Sequence, residues 1–297
     1  MLVELAIGDA YGAGFEFAKP ERLAELTNDL STYYVHNLPG HLPAGSYTDD
    51  TQMSIGVSEH LLATDTINPE TIAMQLANRW VDTYKRDPRN GYSRRFQRIL
   101  DQVKSGEGLL ALVIPNSDRC GAAMRSCPIG IMPKVHPILV FSRLQAKVTH
   151  DTPEAIASSQ TIALATHYFL YDKGPKKELV DFLELGSGSE LLFKDATDLW
   201  PTGERCTSEA IPCVKAAISA VLRNDKLTDV LKECIDYTGD VDSIAAMAMG
   251  IASCSNEIEN NLPEHLYSGL ENGKYGLDYL RDLDQRLLER VKNARSV

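Results

Sequence analysis

An all-α fold is predicted for this chain on three observations. Apolar residues recur at helical spacing through most of its length. The strict alternation expected of a half-buried strand is scarce. The punctuation is also helical, as where Thr152 precedes Pro153 and Glu154 and reads as an N-cap followed by proline at the first helical position. With 297 residues, 43% hydrophobic and 24% charged, the chain has material for a large core and no disordered or fibrous signature. A single compact multi-helix domain over 1–297 is the simplest architecture.

The elements follow in order. Over 52–63 the set Met53, Ile55, Gly56, Val57, His60 and Leu61 marks a helix, and 69–84, 135–147 and 153–171 show the same spacing. Further helices are expected over 208–222, 227–237, 242–253 and 276–292. Gly, Pro, Asn and Asp cluster at 37–45, 86–91, 115–120 and 172–175, which read as loops. None is long or biased enough to be a linker between domains, and no repeat of fixed period occurs.

The formal charge of -11 argues against non-specific binding to nucleic acid or to an anionic membrane, because both need a basic footprint. An anionic ligand must then be met locally, by metal ions, helix N-termini or a few arginines. The opening MLVELAIGDAYGAGFEF lacks the basic region and long apolar run of a signal peptide, and no stretch has membrane-spanning length, so a cytoplasmic protein is expected. Six cysteines, at 120, 127, 206, 213, 234 and 254, are too scattered for a disulfide framework. Their two seven-residue separations do not match zinc spacing, so they read as buried reduced thiols.

Two short stretches concentrate hard oxygen ligands. In Thr48-Asp49-Asp50-Thr51 four oxygen-bearing side chains follow one another where a helix should start near residue 51, and an N-cap uses only one or two of them. Almost two hundred residues later, Asp240, Asp242 and Ser243 precede a helix rich in small residues. Capping explains either stretch alone. Together they offer four carboxylates and several hydroxyls, the donor chemistry of magnesium, manganese or calcium rather than zinc or copper, and a dication would cancel the repulsion between neighbouring charges. A third stretch, GDAYGAGFEF, sets Asp9 and Glu16 around three glycines. It reads either as an active-site acid or base behind a turn, or as a helix stopped at Gly12 or Gly14 with Glu16 in solvent.

Five segments in order give the chain a resemblance to the ADP-ribosylglycohydrolase family: Gly8-Asp9-Ala10-Tyr11-Gly12 with Glu16, Tyr47 to Thr51, Cys120 to Arg125, Thr149-His150, and Gly239 to Ser243. The resemblance implies an all-α fold and a two-magnesium centre, with manganese as a substitute, that hydrolyses the glycosidic bond between ADP-ribose and an acceptor. Thr48, Asp49 and Asp50 match the first metal-binding segment, and Asp240, Asp242 and Ser243 the second. Glu16 matches a carboxylate at the scissile bond and is the implied proton carrier, with Asp50 second. The backbone of Gly121, Ala122, Ala123 and Met124 matches a phosphate-cradling turn, and His150 a residue near the nucleotide. Arg125 reads either as a further phosphate contact or as a buried structural partner.

The chain departs from the family pattern in three places. Thr238 stands where a second glycine is usual and Ser243 replaces a threonine but keeps its hydroxyl. Cys120 stands where the phosphate turn often has asparagine, and many relatives carry more chain before the first glycine segment. The implied partner is an ADP-ribosylated protein side chain, such as arginine or serine, or a small-molecule acceptor, with nucleic acid only as a modified substrate. Two other functions use similar residues: an ADP-ribose-binding protein without turnover, and a metal-dependent phosphohydrolase acting on a nucleotide pyrophosphate.

Overall fold

The computed structural model describes residues 1–37, 42–64, 66–186 and 188–296. They form an almost entirely helical domain. The helices are α1 (Leu2–Gly12), α2 (Pro20–Leu23), α3 (Asp49–Ala63), α4 (Ile72–Arg86), α5 (Arg94–Gln102), α6 (Gly106–Leu112) and α7 (Val135–Lys147). They continue with α8 (Pro153–Leu170), α9 (Leu179–Leu183), α10 (Ala210–Arg223), α11 (Leu227–Asp236), α12 (Val241–Ala252), α13 (Glu264–Ser268) and α14 (Leu277–Arg295). Among the described residues, extended pairing is limited to isolated bridges such as Cys206 with Gly239 and Asn116 with His150.

The expected periodic segments all appear, with ends moved by a few residues. Thr152 caps α8 as expected, its side chain accepting the Ala155 N–H at 3.2 Å. α3 starts earlier than residue 51, because its first amides find a partner in another helix. The short segments that became α5 and α6 were not among the expected helices; α6 packs against α4, and α5 buries Ile99 and Leu100. Part of the expected loop 37–45 lies outside the described residues.

At the centre lies α12, every residue of which is buried. It is covered by α1, α3, α8, α10 and α11, the situation of a helix apolar on all sides. Small side chains allow this. A Cβ at Gly8 would stand 2.5 Å from the Ala245 carbonyl oxygen, and one at Gly12 would stand 2.5 Å from the Asp242 Cα. Leu5 in turn meets Gly250, so α1 runs antiparallel to α12 with backbones in contact. Gly12 thus closes α1 for the sake of approach rather than dihedral freedom, since the C-cap is Ala13 in the ordinary right-handed region.

Candidate active site

Three helix ends converge because of this packing. The C-terminal end of α1 brings Asp9, and the turn after it brings Glu16. The N-terminal end of α3 brings Thr48, Asp49 and Asp50, while that of α12 brings Asp240, Asp242 and Ser243. Two helix N-termini face the same space, and their partial positive charge favours carboxylates there.

The joint between α1 and α3 is made by Asp9. Its carboxylate accepts the Thr48 N–H at 2.9 Å, the Thr51 N–H at 3.0 Å, and the hydroxyls of Thr48 and Thr51 at 2.8 and 2.6 Å. A side chain remote in sequence therefore satisfies amides at the start of α3, where a local cap from the Thr48–Thr51 stretch was expected; Thr48, at the N-cap position, makes no side-chain cap. Asp9 was marked by its glycine setting, but nothing local in sequence pairs it with Thr48. The Thr48 hydroxyl also lies 3.2 Å from Asp50 Oδ2.

Two overlapping sets of carboxylates result. Asp9, Asp50 and Asp242 each offer one oxygen within 4.8 Å of the others, and so do Glu16, Asp240 and Asp242. Asp242 belongs to both. Glu16 is 7% exposed, which overturns the alternative that leaves it in solvent. Asp50 Oδ1 and Asp242 Oδ1 are buried without a hydrogen-bond partner, a costly state for an ionised carboxylate unless a cation meets it. The donor set is all oxygen, so the residues fit a hard dication.

Electrostatics follow from this crowding. Burial, reinforced by the charges of Asp242 and Asp240, holds the Glu16 carboxyl well above the usual range. Burial and the neighbouring carboxylates raise Asp50 and Asp242 in the same way, and burial with the Cys120 thiol beside it raises Asp240. Asp49 is pushed up to about 7 by burial and the charge of Asp9.

These groups floor a cleft of about 440 Å³, within the range of about 300–1,000 Å³ common for small-molecule sites. Asp49, Ser243, Gly121, Met124 and His150 line it, whereas Ala122 and Ala123 are fully buried behind it. The amides of Ala123 and Met124 donate to the Cys120 carbonyl at 2.7 and 3.0 Å, so they are engaged within the turn. One wall, formed by Tyr92, Phe96 and the start of α5, was not anticipated from sequence; its only signal was the turn composition at 86–91.

Arg125 is both wall and partner. Its guanidinium is buried over the Trp80 ring at 4.1 Å and donates to Gln145 Oε1 at 2.6 Å and to the Thr149 hydroxyl at 2.8 Å. Thr149 Oγ1 lies 2.6 Å from His150 Nδ1. With the hydroxyl proton given to Nδ1, every partner is satisfied and the imidazole carries its own proton on Nε2. Burial, with the Arg125 charge, pushes His150 down to about 3, so it is a neutral donor.

The comparisons with known proteins agree with this arrangement. A family model described as ADP-ribosylglycohydrolase matches residues 1–296. The chain is 26% identical over 268 residues to the ADP-ribosyl-[dinitrogen reductase] glycohydrolase of Rhodospirillum rubrum, covering 86% of this chain and 84% of that one. It is 26% identical to an ADP-ribosylarginine hydrolase of Serratia proteamaculans, covering 84% and 69%. A solved structure titled ADP-ribosylglycohydrolase-related protein complex superposes with a TM-score of 0.71 over 99% of this chain and 96% of that one, at 21% identity, and shows the shared fold. The chain belongs to the ADP-ribosylglycohydrolase family, hydrolases that act on the bond between ADP-ribose and an acceptor.

Proposed function

We propose that this protein is a magnesium-dependent ADP-ribosylglycohydrolase that releases ADP-ribose from a modified protein side chain, with arginine as the first acceptor to test. The observation that carries the reading is the pair of carboxylate sets joined at Asp242, with buried unpartnered oxygens on Asp50 and Asp242, at the floor of a ligand-sized cleft. Arginine is favoured because relatives from Serratia proteamaculans and Pseudomonas putida carry the name ADP-ribosylarginine hydrolase.

Asp9, Asp50, Asp240 and Asp242, with Asp49 and the hydroxyls of Thr48 and Ser243 at the edge, would hold two magnesium ions, or manganese in the same oxygen cage, with Glu16 beside them. Bound there, the ions offset the carboxylate charge and acidify water in the cleft. In the reaction, water adds to the anomeric carbon of ribose as the bond from that carbon to the acceptor nitrogen breaks. One proton of the water ends on the leaving nitrogen. Glu16 carries that proton; burial and the charges of Asp242 and Asp240 raise its affinity for one. Asp50 is the second candidate, already engaged with its neighbours. His150 and the turn at Gly121, which line the cleft, would meet the nucleotide, and Arg125 supplies the only buried guanidinium among the cleft-lining residues described.

The test is incubation with an ADP-ribosylated arginine substrate, with and without chelator, and identification of the product. Intact ADP-ribose released only with dication supports the reading. AMP with ribose phosphate would assign the protein as a phosphohydrolase, and tight ADP-ribose binding without release would make it a binding protein.

A further inference from the structure

Cys120 and Cys213, far apart in sequence, meet Asp240 at the back of the carboxylate floor, with Cys206 beside Cys213. Cys120 opens the turn Cys120–Ala122, Cys206 precedes α10, and Cys213 lies in the first turn of α10. All three are free and buried. The Cys120 thiol donates to Asp240 Oδ2 at 3.3 Å, and Cys206 Sγ lies 4.0 Å from Cys213 Sγ. One ligand atom each from Cys120, Cys213 and Asp240 falls within 4.8 Å of the others. Cys206 is held beside Asp240 by backbone, its N–H donating to the Thr238 carbonyl at 3.2 Å and its carbonyl accepting the Asp240 N–H at 3.4 Å.

These distances suit a centre of mixed thiolate and carboxylate ligands. A zinc–sulfur bond of about 2.3 Å and a zinc–oxygen bond of about 2.0–2.2 Å place a sulfur and an oxygen about 3.5 Å apart in a tetrahedron. The Cys120 Sγ–Asp240 Oδ2 separation of 3.3 Å is already close to that value. The donor chemistry differs from that of the adjoining floor: two sulfurs prefer soft or borderline ions, whereas the all-oxygen sets prefer hard ones. Access is available, since Cys120 lines the cleft. No zinc motif in sequence joins 120 with 213; the two sulfurs and the carboxylate meet only through the fold.

We propose that Cys120, Cys213 and the Asp240 carboxylate form a site for a thiophilic divalent ion of the zinc class, whose occupation withdraws Asp240 from the set it shares with Glu16 and Asp242. The ion enters as the dication with no change of oxidation state and keeps one water as its fourth ligand. Two metal–sulfur bonds and one metal–oxygen bond form as the ion sheds its other waters, and each thiol releases one proton to solvent. The protons leave positions now hydrogen-bonded to Asp240 and to the Thr207 carbonyl, which the Cys213 thiol reaches at 2.8 Å. Slowing of hydrolysis by zinc rests on the proposed function; binding does not.

Cobalt(II) is the probe, added to reduced full-length protein with magnesium enough to fill the Asp9, Asp50 and Asp242 set, which does not include Asp240. The parent is expected to take up one cobalt per chain with sulfur-to-metal charge-transfer absorption and intense tetrahedral bands, both erased by one equivalent of zinc. Cys213→Ala, checked for folding by thermal melts in chelator, should weaken zinc binding by at least about 100-fold, more than the loss of an outer-shell partner costs. Absence of charge-transfer absorption in the parent, or equal absorption in a folded Cys213→Ala, overturns the site. Zinc should also inhibit ADP-ribose release by the parent and spare Cys213→Ala; equal inhibition of both overturns the withdrawal of Asp240. A protein that shows the cobalt signal but releases no ADP-ribose keeps the site and loses the enzymatic reading.

Discussion

Asp9, near the end of α1, accepts the backbone N–H groups of Thr48 and Thr51 at 2.9 and 3.0 Å and so closes the N-terminus of α3 from another helix. The first helix therefore sets where the Asp49–Asp50 pair sits.

Asp9→Asn keeps the shape but replaces one accepting oxygen with an NH₂ group facing donors. Removing the charge relieves repulsion with Asp50 and Asp242, but the buried amides and hydroxyls left without an acceptor outweigh it. Urea unfolding should show a loss of about 1–3 kcal/mol, together with weaker dication binding; a variant as stable as the parent would remove the capping role.

Gly12→Ala tests the close approach of α1 and α12. The added Cβ would lie 2.5 Å from the Asp242 Cα, where backbone and not a flexible side chain must give way. Overpacking of this kind costs about 1–3 kcal/mol. Calorimetric magnesium titration should show reduced affinity, because the shift moves Asp242 away from Asp50. Unchanged affinity would mean that the helix contact does not set the site.

Metal-free protein should lose stability as pH rises. A carboxyl whose folded pKa is raised binds more protons folded than unfolded between its two pKa values, so stability falls with pH across that window. For Asp49 the window runs from the ordinary 3.8 to about 7, and Asp50, Asp242 and Glu16 act in the same direction. Thermal melts in chelator should give a lower Tm at pH 8 than at pH 5, and magnesium should raise Tm more at pH 8. A chelated Tm that climbs over this range contradicts the crowded floor.

Glu16→Gln separates proton transfer from folding. Release of ADP-ribose should fall by about 10²–10⁴-fold, the usual worth of a general acid or base, while dication binding through Asp9, Asp50 and Asp242 persists. In chelator at pH 8 the same variant should melt higher than the parent, since one penalised charge is gone. Full activity would exclude Glu16 as the proton carrier.

Thr238 has a φ of 55°, in the left-handed region that β-branched residues rarely enter, ahead of Gly239 at 95°. Gly239 admits no side chain, because a Cβ there would stand 1.7 Å from the Cys206 carbonyl oxygen. Asparagine tolerates the left-handed conformation better, so Thr238→Asn should gain about 0.5–1 kcal/mol. That corresponds to a Tm rise of about 1–4 °C, and a fall in Tm would show that the threonine side chain compensates its own strain.

Much of the helical order was legible because it is local. The spacing of apolar residues marks α7, α8, α10 and α12, and Thr152-Pro153 marks a start, since both depend on neighbours within one or two turns. The start of α3 was legible to within two residues, but not what caps it, because the acceptor is Asp9, about forty residues upstream. α5 and α6, of 9 and 7 residues, are too short for apolar period alone to separate them from a loop. Glu16 admitted a surface reading, which its burial beside Asp240 and Asp242 removes, whereas Arg125 is buried among structural partners and also lines the cleft.

The sequence by itself determined the ligand chemistry: hard oxygens in two acidic segments, small residues where helices must touch, and an apolar period that folds as helices. Only the tertiary structure decided which oxygens lie close enough to share a cation and that Asp242 joins two sets. It also decided that Cys120 and Cys213 meet Asp240. Residue type and period are properties of neighbouring positions, whereas convergence depends on how closely α1 and α12 pack, which no local pattern encodes.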